Sequence, residues 1–266
     1  VNGYEFYKGP WQNVSWLIDE TEKFYQENIT PKGLGDRFSV ARDKIIERRK
    51  WQPSIRLIKD TLEPVLRELN IFYVPKQMDP GPGVAFPIRD IHDNMTHGKF
   101  HPFYELLMKN REGQETVAKY AALGKKESMR GPAFFGNSDE CLRNIGRTQS
   151  VALVEGPYDL LGCRVLVRDC PVLSTGTKSF SIEHIYYLRM LGAKTFYLMF
   201  DNEPAKGEKT MGAGNQAMDY LAFKWSKDTG LDFRPLLCPA DDASTCLEHG
   251  ETAVTLTNIL ARVAHP

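Results

Sequence analysis

Four apolar runs in the second half of the chain break off at residues suited to a cation or a phosphate. VALV, residues 151–154, runs into Glu155 and then Gly156, Pro157, Tyr158 and Asp159. TFYLMF, 195–200, runs into Asp201 and Glu203, and DFRPLL, 232–237, leads to Asp241 and Asp242. PVLS, 171–174, is followed by Thr175, Gly176 and Thr177, a glycine between two hydroxyls that lets backbone approach a ligand closely. Any one of these acids alone reads as a helix cap or a turn residue. Asp201 and Glu203 are harder to dismiss. At i, i+2 in extended chain they point to the same side, and their charges repel unless a cation lies between them. Carboxylates from three of four run ends, with no imidazole or thiolate among them, select Mg²⁺ or Mn²⁺.

The elements that would carry these groups follow from periodicity. From residue 150 onward short apolar runs alternate with helical stretches, beginning at Tyr158, near Ser181 and over 213–227. That alternation predicts a parallel α/β sheet covered on both faces, whose ligands collect at the carboxyl ends of its strands. The first half is organised differently. Residues 11–29 place Val14, Leu17, Ile18, Phe24 and Tyr25 near helical spacing. A basic helix is expected at 36–50 and another at 54–69, where Pro64 is tolerable only at the start of a turn. PKQMDPGPG, 75–83, reads as a loop, VAFPIRD, 84–90, as a strand, and 91–103 as a His-containing loop. Helical spacing of His97 and His101 would put two ligands on one face, but Gly98 and Pro102 oppose a helix, so no metal role is expected there.

At 266 residues the chain exceeds the usual single-domain size, so two sub-domains are expected: 1–147, then 148–245, with 246–266 a helical tail. It begins at Val1 rather than Met, so a fragment or a processed chain is expected. Net charge is zero, with the first part slightly basic and the second slightly acidic, a small asymmetry that a solvated surface explains and that would also suit a groove for a phosphate backbone beside an acidic metal site. No apolar run approaches the roughly 20 residues that cross a bilayer, and no leader is visible, so a cytoplasmic setting without membrane partners is expected. Cys141, Cys163, Cys170, Cys238 and Cys246 form no CxxC pair; buried free thiols are expected, with neither disulfides nor a zinc site.

These motifs resemble a family. VEGPYD at 154–159 is similar to the Glu-bearing motif of the Toprim domain, and FDNE at 200–203 to its second motif, usually Asp-x-Asp. GVAFPIRD, 83–90, resembles the Phe-Pro-Ile-x-Asp segment of bacterial and phage DNA primases. KYAALGKKESMRGPAFFGN, 119–137, resembles their later segment with a Lys-Tyr pair and a basic-Gly dipeptide. STGT at 174–177 and PADDA at 239–243 fit the Gly-Thr element and the last acidic motif. The order is that of the family, over most of the chain.

The resemblance implies a mixed α/β N-terminal sub-domain followed by a Toprim sub-domain, a Rossmann-like and mainly parallel sheet flanked by helices. It implies an RNA-polymerising enzyme that makes short primers on single-stranded DNA from nucleoside triphosphates, in the cytoplasm of a bacterial host if phage-encoded. Carried over by position, Glu155, Asp201 and Glu203 would be catalytic metal ligands, supported by Asp159 and completed by Asp241 or Asp242. Lys119 and Arg130 match the two basic positions. Lys125, Lys126 and Arg89, with Gly176 and Thr177, are further candidates for nucleotide or template binding. A replicative helicase would be engaged through regions outside these residues. Glu203 departs from the pattern by one methylene. Three alternatives use the same features: a Toprim nuclease admitting water in place of a hydroxyl, a topoisomerase, and a non-catalytic single-stranded-DNA-binding replication protein.

Overall fold

The computed structural model describes residues 14–28, 36–52, 57–78, 80–90, 95, 97–109, 114–124, 132–202 and 212–265. The chain divides into two compact units, Val1–Lys44 with Leu66–Gly131, and Ile45–Val65 with Pro132–Pro266. Helices α1 (Val14–Asn28), α2 (Arg37–Arg49) and α3 (Leu57–Glu68) fall where the periodicity predicts them, with Pro64 inside α3.

The first unit is built on an antiparallel sheet. Strands β1 (Phe72–Val74), β2 (Gly83–Ile88) and β3 (His97–Pro102) pair in sequence order. Strands β4 (Leu106–Lys109) and β5 (Glu115–Ala118) form a separate two-stranded ladder, and β6 (Ala121–Leu123) returns beside β3. Because alternate side chains leave a strand on opposite faces, one face carries Phe72, Val74, Ala85, Phe100 and Leu123 into a core with Val14, Leu17 and Ile18 of α1. Each of these buried side chains other than Ala85 contributes about 1.5–3 kcal/mol.

Strand β3 corrects the reading of 91–103 as a loop. Its burial alternates between half-buried His97, Lys99 and His101 and buried Gly98, Phe100 and Pro102, a period of two that the glycine and proline obscure in sequence. In extended chain, residues four apart lie about 13 Å from one another, so His97 and His101 share a face without sharing a ligand.

In the second unit, α4 (Asp139–Thr148) precedes β7 (Ser150–Val154), and α5 (Pro157–Leu166) leads to β8 (Val172–Ser174). Helix α6 (Ile182–Met190) leads to β9 (Thr195–Met199), and α7 (Ala213–Thr229) to β10 (Asp232–Pro235). The four strands are parallel, in the order β10-β9-β7-β8. Val151, Leu153, Phe196 and Leu198 bury one face against Ile145 of α4, Ile185 and Leu188 of α6, and Met218 and Leu221 of α7. Helix α8 (Gly250–Ala264) packs on α5 and β7.

The partition differs from a boundary at 147/148. Phe135 bridges to Ser174 beside β8, and Cys141 and Ile145 enter the core of the parallel sheet, so residues from Pro132 onward belong with it. The last helix is likewise integral: Leu256, Leu260 and Val263 are buried, and Ser150 Oγ donates to the Val263 carbonyl at 2.6 Å. All five cysteines are buried and free, as expected.

Candidate functional site

After β7 the chain crosses to β8 on one side and then returns to β9 on the other, so the carboxyl end of β7 is the point where strand order reverses. A crevice opens at such a point in parallel sheets. Glu155 stands there. Its main-chain carbonyl accepts from Ser174 Oγ at 3.0 Å, tying it to the end of β8, and Lys178 Nζ lies 3.8 Å from Oε2. Beyond β8, Gly176 takes a positive φ of 71°, which a glycine accommodates without strain. Its N–H donates to Ser174 Oγ at 3.1 Å, and Thr175 Oγ1 donates to the Thr177 carbonyl at 2.5 Å, so Gly176 and Thr177 form a tight turn at the same edge.

Asp159 begins the helix that leaves β7. At the third position of α5 its carboxylate accepts from the Gly156 N–H at 2.9 Å, closing the first turn. The other oxygen accepts from the Ser244 N–H at 3.3 Å, reaching the segment after β10. Burial, together with the nearby carboxylates of Asp242 and Asp201, pushes its pKa up to about 8. Three segments far apart in sequence thus bring carboxylates into one another's field.

The segment after β9 is held by its neighbours on both sides. Asn202 N–H donates to the Asp241 carbonyl at 2.6 Å, and Asn202 Nδ2 donates to the Cys238 carbonyl at 3.2 Å. Asn215 Nδ2, in the first turn of α7, donates to Asn202 Oδ1 at 2.8 Å. That helix approaches so closely that a Cβ at Gly214 would collide with the carbonyl oxygen of Asp201. Asp241 and Asp201 are therefore linked through Asn202, and neither is positioned by its own strand alone.

Asp242 is fixed within its own turn. Its Oδ1 accepts from the Thr245 N–H at 2.6 Å, and Arg49 Nη2 of α2 lies 3.6 Å from Oδ2. Arg49 Nε donates to Ser244 Oγ at 2.8 Å, and the buried Trp51 donates its indole N–H to the same oxygen at 3.3 Å. The guanidinium sits over the Tyr158 ring, 5.2 Å from its centroid, and burial pushes the Tyr158 hydroxyl pKa well up. Cys238 and Cys246 flank this turn with their sulfurs 3.4 Å apart.

The structure thus brings Glu155, Asp159, Gly176, Thr177, Asp201, Asp241 and Asp242 to one edge of the parallel sheet. Among the described residues no three His, Cys, Asp or Glu are gathered closely enough to hold a metal ion as they stand. Glu203 lies outside the described residues. The donor chemistry fits a divalent cation: oxygen ligands only, gathered around Asp159, whose pKa is pushed up to about 8 by burial and then by the charges of Asp242 and Asp201. Asn202, Ser244, Arg49 and Lys178 belong to this edge and carry no sequence signal, because each acts through a partner in another segment.

The basic candidates fall in the first unit. Arg89 follows β2 and is half-buried; Lys119 is exposed just before β6; Lys125, Lys126 and Arg130 lie outside the described residues. Lys119 accompanies an aromatic surface on the sheet face opposite the core. Tyr120 lies 5.3 Å from His101 between ring centroids, and Phe103 lies 5.9 Å from both His101 and Tyr73. Lys99 and Lys119 place their ammonium groups 5.2 and 5.6 Å from the Tyr120 ring centroid.

No protein-family model matches the chain, and no curated protein sequence matches it. Solved structures do. The RNA polymerase domain of Mycobacterium tuberculosis primase DnaG has a TM-score of 0.60 at 15% sequence identity, covering 94% of this chain and 84% of that one. The same domain in complex with a double-stranded DNA oligomer with a 6-nucleotide overhang gives 0.58 at 16% identity, covering 96% and 82%. The zinc-binding and RNA polymerase domains of Aquifex aeolicus primase give 0.55 at 19% identity, covering 93% of this chain and 59% of that one. The fold of this chain is that of the bacterial primase RNA polymerase domain.

Proposed function

We propose that this chain, with the fold of a bacterial primase polymerase domain, is a DNA primase catalytic core whose second unit is a Toprim domain. It would synthesise short RNA primers on single-stranded DNA by metal-dependent nucleotidyl transfer. The observation that carries this reading is the convergence of carboxylates at the strand-order reversal, where Asp159 bonds to the Gly156 and Ser244 amides and burial, then the charges of Asp242 and Asp201, push its pKa up. Fold alone would not carry it, since similar scaffolds host several chemistries.

Glu155, Asp201 and Glu203, with Asp241 or Asp242, are the residues that would hold Mg²⁺ or Mn²⁺. A cation held there would supply Lewis-acid chemistry, neutralising charge on the phosphate oxygens during transfer of the α-phosphorus to a 3′-hydroxyl. Asp159 keeps the first turn of α5 and the Ser244 turn together beneath these ligands. Lys178 balances the Glu155 charge. Arg89, Lys119, Lys125, Lys126 and Arg130 suit the triphosphate and the template phosphates, Arg by its bidentate fork and Lys as a point charge. The aromatic face around Tyr120 suits unpaired bases, whose flat surfaces stack on such rings whatever their sequence. The similar Mycobacterium tuberculosis domain is known in complex with DNA, which supports a DNA template here.

The test is incubation with single-stranded DNA, Mg²⁺ or Mn²⁺ and labelled nucleotides, with Glu155→Gln and Asp201→Asn alongside. Template-dependent oligonucleotides that vanish in both variants are expected. Shortening of the template without synthesis would replace this reading with the nuclease, and DNA binding without either activity would replace it with a binding protein.

A further inference from the structure

We infer that Arg49 is a positioning residue for the acidic edge: it fixes the turn from Asp242 to Ser244, and through that turn the amide that holds Asp159. This role rests on the reading of that edge as a divalent-cation site. Its shortest polar contact is the one to the neutral Ser244 hydroxyl, at 2.8 Å from Nε. The contact to Asp242, at 3.6 Å from Nη2, is longer than a hydrogen bond. Ser244 is fully buried, and its own N–H reaches the Asp159 carboxylate. The guanidinium plane rests over the buried Tyr158 ring, which limits how it can turn. A planar group that donates to a buried hydroxyl, lies beside a carboxylate and sits over an aromatic ring is a task for Arg that an ammonium does not perform.

A cation beside carboxylates can act in two ways, and they differ in sign. A group that only balances charge competes with an incoming metal ion, so its removal tightens metal binding. A group that positions ligands is needed by the metal ion, so its removal weakens binding. The short contact to Ser244, which carries no charge to balance, points to the second.

The experiment is Mn²⁺ titration of the full chain, followed by electron paramagnetic resonance of the free ion, for wild type, Arg49→Gln, Arg49→Lys, Ser244→Ala and the Arg49→Gln/Ser244→Ala double variant. Circular dichroism and urea unfolding establish that each is folded; Arg49→Lys, which keeps the charge, is the mildest change, whereas Ser244→Ala also removes the acceptor of the Trp51 indole N–H. Supporting residues around metal ligands typically cost 10–100-fold in affinity when lost, and roughly 10-fold weaker binding is expected for both Arg49 variants. The double variant should be no weaker than the weaker single one, since both break the same link. In the synthesis assay the Mn²⁺ requirement should rise while the rate at saturating Mn²⁺ is retained. Tighter binding in Arg49→Gln, or full rescue by Arg49→Lys, would overturn positioning in favour of charge alone. Equal binding in all variants would overturn the role outright. A wild type that binds no Mn²⁺ would overturn the cation site itself, and this role with it.

Discussion

The carboxylate of Asp159 accepts a hydrogen bond from the main-chain N–H of Ser244 at 3.3 Å, joining the start of α5 to the turn that follows β10. The same side chain accepts from Gly156 at 2.9 Å, so one buried carboxyl closes a helix and anchors a distant segment.

That carboxyl makes the stability of the metal-free protein depend on pH. An Asp in unfolded chain titrates near pH 4, whereas burial and the charges of Asp242 and Asp201 push Asp159 up to about 8 in the fold. Between these values the folded state keeps a proton that the unfolded state releases. The contribution of Asp159 is complete below pH 4 and is lost as pH rises through 8, with a slope approaching 1.4 kcal/mol per pH unit. Urea unfolding from pH 5 to 8 in a chelator should show wild-type stability falling relative to Asp159→Asn. A difference between the two that does not change with pH would remove this account.

Lys178 should oppose cation binding, in contrast to Arg49. Its ammonium lies 3.8 Å from Glu155 Oε2 with both side chains partly exposed, an interaction worth at most about 1 kcal/mol. Lys178→Met should tighten Mn²⁺ binding by about 3-fold and no more than 5-fold. Weaker binding in that variant would mean that Lys178 orients Glu155 rather than neutralises it.

The aromatic surface and its lysines should separate by salt dependence. Tyr120→Ala should cost about 1–3 kcal/mol of affinity for single-stranded DNA with the salt slope unchanged, because stacking releases no counterions. Lys119→Ala should make the slope shallower by about 0.7, the loss of one phosphate contact on a single strand. Fluorescence anisotropy of a labelled oligonucleotide from 50 to 200 mM salt measures both. A slope that changes in Tyr120→Ala, or an affinity that does not, argues against base stacking there.

Gly214 should tolerate nothing larger. A Cβ there meets the Asp201 carbonyl, so Gly214→Ala should lose about 1–3 kcal/mol in urea unfolding and weaken Mn²⁺ binding as Asp201 shifts. Gly250, where an added methyl would meet open space, is the control, and Gly250→Ala should be close to neutral. Equal effects from the two would show that the approach of α7 to Asp201 carries no strain.

The parallel sheet was legible because β7 and β9, buried on both faces, read as unbroken apolar runs, and each run ended in the acids now found at its carboxyl edge. Helices α1 to α3 were legible from spacing alone. Strand β3 was not, since Gly98 and Pro102 carry loop composition and only pairing to β2 reveals the alternation. Helix α4 carried no expectation, because it falls between the motif segment 119–137 and the apolar run at 151–154. The Arg49–Ser244 contact spans 195 residues, and no local pattern reports a contact of that range.

The chain passes between its two units three times, at 44/45, 65/66 and 131/132. A gene fragment opening at codon 132 would encode the whole parallel sheet and still lack Trp51, a buried indole whose N–H is bonded to Ser244. Nor can residues 45–65 be supplied by moving the start upstream without bringing residues 66–131 along. Anyone dissecting this polypeptide by truncation would find no cut that frees the acidic edge intact; circular permutation or a grafted linker from residue 65 to residue 132 is the route that respects its wiring.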